Sequence, residues 1–165
     1  MLDLNFDLIN GLPIHALVVH AVVVLLPLLA VVTVVFVVRP KWRSELPWAI
    51  LGNAALFLIT FVAKASGEKL QARLSTATGS EVAAHHAALG KDLQYFAFAQ
   101  LIASLLAWVL LGTRPESRPA ARPALALAFL VTLIAGGAAT YWTYRVGDSG
   151  ATAVWKDTIA NTKAP

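Results

Sequence analysis

The sequence predicts an all-α integral membrane protein, a bundle of four spanning helices. Three observations carry that expectation. Hydrophobic residues make up 58% of the 165, and charged residues only 13%, where a soluble domain has about 25%. Four charge-free runs, Leu8–Val38, Leu46–Ala63, Leu93–Thr113 and Pro123–Tyr144, each come near or exceed the roughly 18 residues that cross a bilayer as a helix. The segments between them are too short to bury a core of their own. The chain therefore reads as one four-span domain in a lipid bilayer, with spans at about 13–38, 47–66, 92–112 and 123–145.

Each element has local signals. Residues 1–11 form a short arm carrying Asp3 and Asp7. Helix one starts near Pro13, a residue pre-set for a first helical turn. Pro27 lies inside it, which membranes tolerate because neighbours satisfy the freed carbonyl. Arg39-Pro40 stops it. Helix two runs from Pro47 to Ser66, with Lys64 reaching to the interface and Gly67 as the expected C-cap. Residues 68–79 are polar, as in a loop or a short surface helix. Ser80 is an N-cap candidate. A helix from Glu81 to Leu111 would project past the bilayer before entering it near Leu93. Gly112, Pro115 and Pro119 mark a loop. Helix four runs from Pro123 to Arg145, and Gly147, Ser149 and Gly150 are expected to break it. No internal repeat is evident.

The net charge is +4, but the basic residues lie largely in short connections, where they orient a membrane protein. Nucleic acid is therefore not expected as a partner. Arg39, Lys41 and Arg43 occupy the first connection and Arg114, Arg118 and Arg122 the third. The positive-inside rule then puts both termini and the second connection outside. Trp42 and Trp48 suit the inner interface, and Tyr141, Trp142 and Tyr144 the outer one. The first apolar run exceeds the roughly 7–15 residues of a signal peptide and lacks a basic leader, so it is expected to be retained. With no cysteine, disulfides, cysteine-ligated clusters and C-x-x-C-H haem attachment are excluded.

The four histidines are the most informative residues. Intramembrane ionisable residues are costly and mark function by default. His15 and His20 lie five apart, about 140° around a helix and about 7.5 Å along it. They do not share a face, so one metal is not expected to take both. His85 and His86 point about 100° apart, so only one should face the bundle, and the spacing leaves open which. The bland alternative is a set of hydrogen-bonded structural histidines.

The segment from Gly11 to Val22, with His15 and His20, resembles the H-P-x-x-V-H-F-P signature of a bacterial four-span membrane family, domain of unknown function 2231. Ala16 stands in the place of the proline, and Ala21-Val22 in the place of Phe-Pro. His86-Ala-Ala-Leu89-Gly90 is similar to its third-span motif, and Gly136-Gly137 to its fourth-span glycine pair. The stretch from Arg145 to Trp155 resembles an actinobacterial branch in which a histidine often occupies the place of Asp148. The resemblance implies a bacterial inner-membrane location. Relatives fused to Rieske-type or cytochrome c domains imply respiratory or other redox membrane proteins as partners.

Two cofactors compete on this reading. Haem b would use His15, His20 or His86 across a gap between helices, with Gly136 and Gly137 offering a flat surface. The depths of His20 and His86 differ, because His86 lies about 10 Å outside the core if Leu93 begins it. A transition metal ion suits depth better, with His15, His86 and Asp148 near the outer mouth; imidazoles and a carboxylate suit zinc, copper or iron. Close helix packing is the plainer role for the glycines, and a turn the plainer role for Asp148. Asn53, Thr60, Gln100, Ser104 and Thr132 read as interhelical hydrogen-bonders. No HExxH, GxSxG, Walker A or GxGxxG pattern is present, so no catalytic residue is assigned. A channel or transporter would need the chain to assemble as a homo-oligomer.

Overall fold

The computed structural model of the chain describes residues 8–74, 80–112 and 122–162. Two short strands, β1 (Leu8–Ile9) and β2 (Leu12–Pro13), pair antiparallel in the arm. Asn10 and Gly11 turn between them with φ of 51° and 81°. A type I′ hairpin turn has positive φ at both central positions, which Asn-Gly adopts most readily. The hairpin leads directly into α1 (Ile14–Val38), which runs through Pro27. A 3-10 segment, Pro40–Glu45, links it to α2 (Leu46–Leu74). Then follow α3 (Ser80–Ala107), closed by a wide turn at Trp108–Gly112, and α4 (Arg122–Asn161).

All four helices are long and apolar enough to cross a membrane. The 25 residues of α1 reach about 38 Å at the helical rise, enough for a hydrocarbon core of about 30 Å. α4, with 40 residues, continues well beyond such a core. Two expected helix ends are therefore corrected. Gly67 does not cap α2, which continues to Leu74, and Gly147, Ser149 and Gly150 do not break α4. Small residues inside membrane helices commonly give neighbours room, and two of these glycines do so below. The expected features at Asp3, Asp7, Arg114, Pro115, Arg118 and Pro119 lie outside the described residues.

Consecutive helices run antiparallel and pack side by side, α4 closes on α1, and α1 faces α3 across the diagonal. Large apolar side chains such as Val24, Val31, Leu58, Ile102 and Ile134 point outward. The interior is built instead from alanine, serine and threonine with a few leucines and valines. This distribution suits lipid, where helices associate by close packing of small residues rather than by hiding apolar surface from water.

The burial pattern exposes a repeat that the letters hide. Beyond Leu46 and Ala128, which have no buried counterpart, the buried series in α2 is Ala49, Asn53, Leu56, Thr60, Ala63 and Ser66, and in α4 it is Thr132, Gly136, Ala139, Thr143, Val146 and Ser149. The two series match at one constant offset. His15, Val22, Leu26 and Thr33 of α1 match His86, Leu93, Ala97 and Ser104 of α3 in the same way. The bundle is thus two similar helical hairpins, α1–α2 and α3–α4, related by an approximate two-fold along its axis. A longer α3–α4 connection and the few identical pairs, among them His15 with His86, Thr60 with Thr143, Ser66 with Ser149 and Gly67 with Gly150, conceal the repeat in the sequence.

Candidate histidine site

Each hairpin carries one histidine at the start of its first helix and directs it onto the end of its second. His15, in the first turn of α1, hydrogen-bonds through Nδ1 to the carbonyl oxygen of Ala63 at 2.9 Å, with Ser66 Oγ at 3.4 Å. His86, near the start of α3, bonds through Nδ1 to the carbonyl oxygen of Val146 at 3.1 Å and to Ser149 Oγ at 2.9 Å. Both serines also donate to that same carbonyl, Ser66 at 3.0 Å and Ser149 at 2.8 Å. A carbonyl only accepts, so each Nδ1 carries the proton and donates it. In the neutral ring the lone pair is therefore on Nε2, and neither Nε2 has a protein partner among the described residues.

The two half-buried rings meet from opposite corners of the bundle, with centroids 6.1 Å apart and planes at 76°. Glycine makes room for both. A Cβ on Gly67 would stand 2.9 Å from Cε1 of His15, and one on Gly150 would stand 3.0 Å from Cε1 of His86. The two motifs, Ala63-x-x-Ser66-Gly67 and Val146-x-x-Ser149-Gly150, thus do the same work. Carbonyl and hydroxyl fix the ring orientation, and glycine admits the edge of the ring. An imidazole whose Nδ1–H is held by a carbonyl, leaving Nε2 open, is the arrangement in which histidine serves as a metal ligand.

The model of a family described as predicted membrane proteins, DUF2231, matches residues 11–163. The chain belongs to the DUF2231 family. No curated protein and no solved structure matches it.

In this DUF2231 chain the remaining candidate residues separate from the pair. His20 is exposed on α1, and its Nδ1 bonds to the carbonyl of Ala16 in its own helix. It does not join His86. His85 is exposed and His86 is turned into the bundle, as the 100° between them requires. Asp148 is also exposed. It lines an outward groove between α3 and α4 with His85, Tyr141, Tyr144, Arg145 and Ser149, turned about 100° around α4 from the Ser149 side chain that holds the ring. A single centre made of His15, His86 and Asp148 is therefore not what the fold assembles. Gly136 meets α1 closely, since a Cβ there would stand 2.8 Å from Cβ of Ala30. Gly137 does not: it faces outward with open space around it. The glycine pair is therefore one packing position and one free position, and neither lies against a histidine ring.

Mid-bundle polar residues also divide. Gln100 Nε2 donates to Asn53 Oδ1 at 2.7 Å and to the carbonyl of Leu26 at 3.3 Å, and Asn53 Nδ2 donates to Thr33 Oγ1 at 3.2 Å. These bonds do link helices. Thr60, Ser104 and Thr132 instead bond to carbonyls of their own helices, which corrects the interhelical role expected of them. The residues that sequence reasoning misses are Ser66, Gly67, Ser149 and Gly150. Their signal is present as two Ser-Gly pairs, each near the end of an apolar span.

Proposed function

We propose that this chain is a multi-pass protein of the bacterial inner membrane that holds a transition metal centre, a bare ion or the iron of haem b, between His15 and His86 in a redox-associated role. One observation carries the proposal. Two imidazoles from diagonal helices stand 6.1 Å apart, each with Nδ1–H fixed by a helix carbonyl and Nε2 left without a protein partner. An imidazole nitrogen lies about 1.1 Å from its ring centre and bonds a metal at about 2.0 Å, so two rings in line on one metal stand roughly 6.2 Å apart. The positive-inside rule supports an extracytoplasmic mouth, with the Arg39–Arg43 connection inside. A fusion reporter at residue 165 tests that side: activity from a cytoplasm-only reporter would invert the orientation.

A second reading has its own support. Each ring fills a glycine notch and ties two helices together through Nδ1, so the pair would also serve as structural links in a non-catalytic subunit. Metal analysis and a visible absorption spectrum of protein purified from membranes separate the two. The metal reading expects a stoichiometric transition metal or a haem Soret band, lost in His15→Asn and His86→Asn and kept in His85→Asn. Asparagine retains an N–H donor near the place of Nδ1, so the anchor to the carbonyl survives while the Nε2 ligand is gone. Neither metal nor haem in the wild-type protein would leave the structural reading.

A further inference from the structure

We infer that the occupant of the His15–His86 pair is a single cuprous ion, held in two-coordinate form by the two Nε2 atoms. The inference rests on the proposal above that the pair is a metal site, and adds the identity and coordination of the metal.

The donor set is the first argument. Among the described residues the site offers two imidazoles and no third strong ligand. Among the described residues no group of three or more His, Cys, Asp or Glu side chains is placed to share a metal, and Asp148 lines the outward groove instead. Zinc takes four ligands in structural sites and three protein ligands in catalytic ones. Iron(II), nickel(II) and copper(II) likewise favour four or more. Monovalent copper has a filled d shell and accepts two nitrogen donors in line. Its charge also suits the place, because one positive charge among apolar helices costs less to desolvate than two.

Symmetry is the second argument. The pair straddles the approximate two-fold that relates α1–α2 to α3–α4. An ion on that axis sees the same anchor twice: a neutral ring, a carbonyl with a serine hydroxyl behind it, and a glycine against Cε1. Two equivalent donors on opposite sides are what a linear centre uses. The centroid separation of 6.1 Å is close to the full in-line span, whereas a tetrahedral angle at the metal would draw the rings to roughly 5 Å with the same bonds.

Packing is the third argument, and it separates an ion from a haem. α2 and α4 press directly on the two rings through Gly67 and Gly150. Below them Val22, Ala63, Leu93 and Val146 are buried in one apolar cluster. A macrocycle between the rings would have to part these contacts. A bare ion displaces none of them.

The test uses the full chain in detergent under anaerobic conditions. Copper(I) is titrated in competition with a coloured cuprous chelator, zinc(II) in a parallel titration, and the copper-loaded protein is examined by X-ray absorption. The expected result is one copper(I) per chain with two nitrogen neighbours and weaker zinc binding. His15→Asn and His86→Asn should each lower cuprous affinity by more than about a hundredfold, beyond the range of an outer-shell change. His20→Asn and His85→Asn should leave it unchanged. A bound metal with three or more protein ligands, tighter zinc binding, or a haem that depends on His15 and His86 would overturn the cuprous centre while leaving the pair a metal site. Copper binding that survives both variants, or no metal of any kind, would overturn the pair itself.

Discussion

At mid-depth the two hairpins meet in two different ways. α4 meets α1 through a dry, close contact, where Gly136 lies against Ala30. α2 meets α3 through an amide link, where Gln100 donates to Asn53 at 2.7 Å. These interfaces correspond under the repeat: Asn53 stands where Gly136 does, and Gln100 stands where Leu29 does. At the histidine end of the bundle, its mouth, the halves instead use one solution twice, a histidine held by a carbonyl, a serine and a glycine. Close backbone approach and a polar link are alternative ways to join helices in lipid, and either side can adopt one without the other. The mouth differs because its two rings, one from each hairpin, meet with centroids 6.1 Å apart.

The dry contact should be the more fragile of the two. Gly136→Leu would drive a side chain into Ala30 and its backbone, so the loss should reach or exceed about 3 kcal/mol, the upper end of overpacking. Gly137→Leu, one residue on but facing outward, should be near neutral. Denaturation of the detergent-solubilised variants measures both, and similar losses at the two positions would break the distinction between them. The polar contact should cost less. Asn53→Leu leaves Gln100 without its amide acceptor, and Gln100→Leu leaves Asn53 Oδ1 unpaired. Each should cost about 2 kcal/mol, within the range for an orphaned buried group. A double-mutant cycle should return a coupling of roughly 0.6–1.7 kcal/mol, the span found for hydrogen bonds between membrane helices. A coupling indistinguishable from zero would mean that the amides pack without linking.

Much of this architecture is legible in the sequence, because the bilayer writes its demands plainly. Charge-free runs fix the four helices, and the angle of about 100° between His85 and His86 means that only one of them faces the bundle, though it does not say which. The site is legible only by halves. His15 and His86 stand out as ionisable residues at span ends, but their partners are carbonyls of Ala63 and Val146, and a carbonyl leaves no letter in the sequence. Gly67 and Gly150 look like helix terminators under rules for water, where glycine weakens a helix. Here each sits within a continuous helix and accommodates a ring. Position along the chain groups Asp148 with the histidines, but its neighbour Ser149 faces the bundle, so the helical turn carries Asp148 to the outside.

At the mouth the two anchors are similar but not equal. Ser149 Oγ lies 2.9 Å from Nδ1 of His86, whereas Ser66 Oγ lies 3.4 Å from Nδ1 of His15. Hydrogen bonds weaken steeply toward the longer distance. Ser149→Ala should therefore cost about 1 kcal/mol and Ser66→Ala less. Since the hydroxyls help orient the rings, Ser149→Ala should also lower the affinity of the proposed metal centre the more. Equal effects would indicate that the carbonyls alone position the rings and that the halves are closer to equivalent than these distances imply.

The smallest expected effects bear most directly on the equivalence of the halves. Within a helix, alanine is more stable than glycine by roughly 0.5–1 kcal/mol. Gly90 and Gly147 lie in α3 and α4, and a Cβ at either would meet nothing within 4 Å, so Gly90→Ala and Gly147→Ala should raise the melting temperature slightly. Gly67 and Gly150 lie in α2 and α4 and should show no such gain, because their methyl groups would stand 2.9 Å and 3.0 Å from an imidazole carbon. The two near-identical distances predict near-identical shifts, flat or slightly downward, in both hairpins. His15→Ala should restore the gain at Gly67 and leave Gly150 unchanged; His86→Ala should do the reverse. A gain at Gly67 in the presence of His15 would show that its ring does not occupy the notch. A gain restored at both glycines by a single histidine change would show that the two rings move as one unit rather than as two independent anchors.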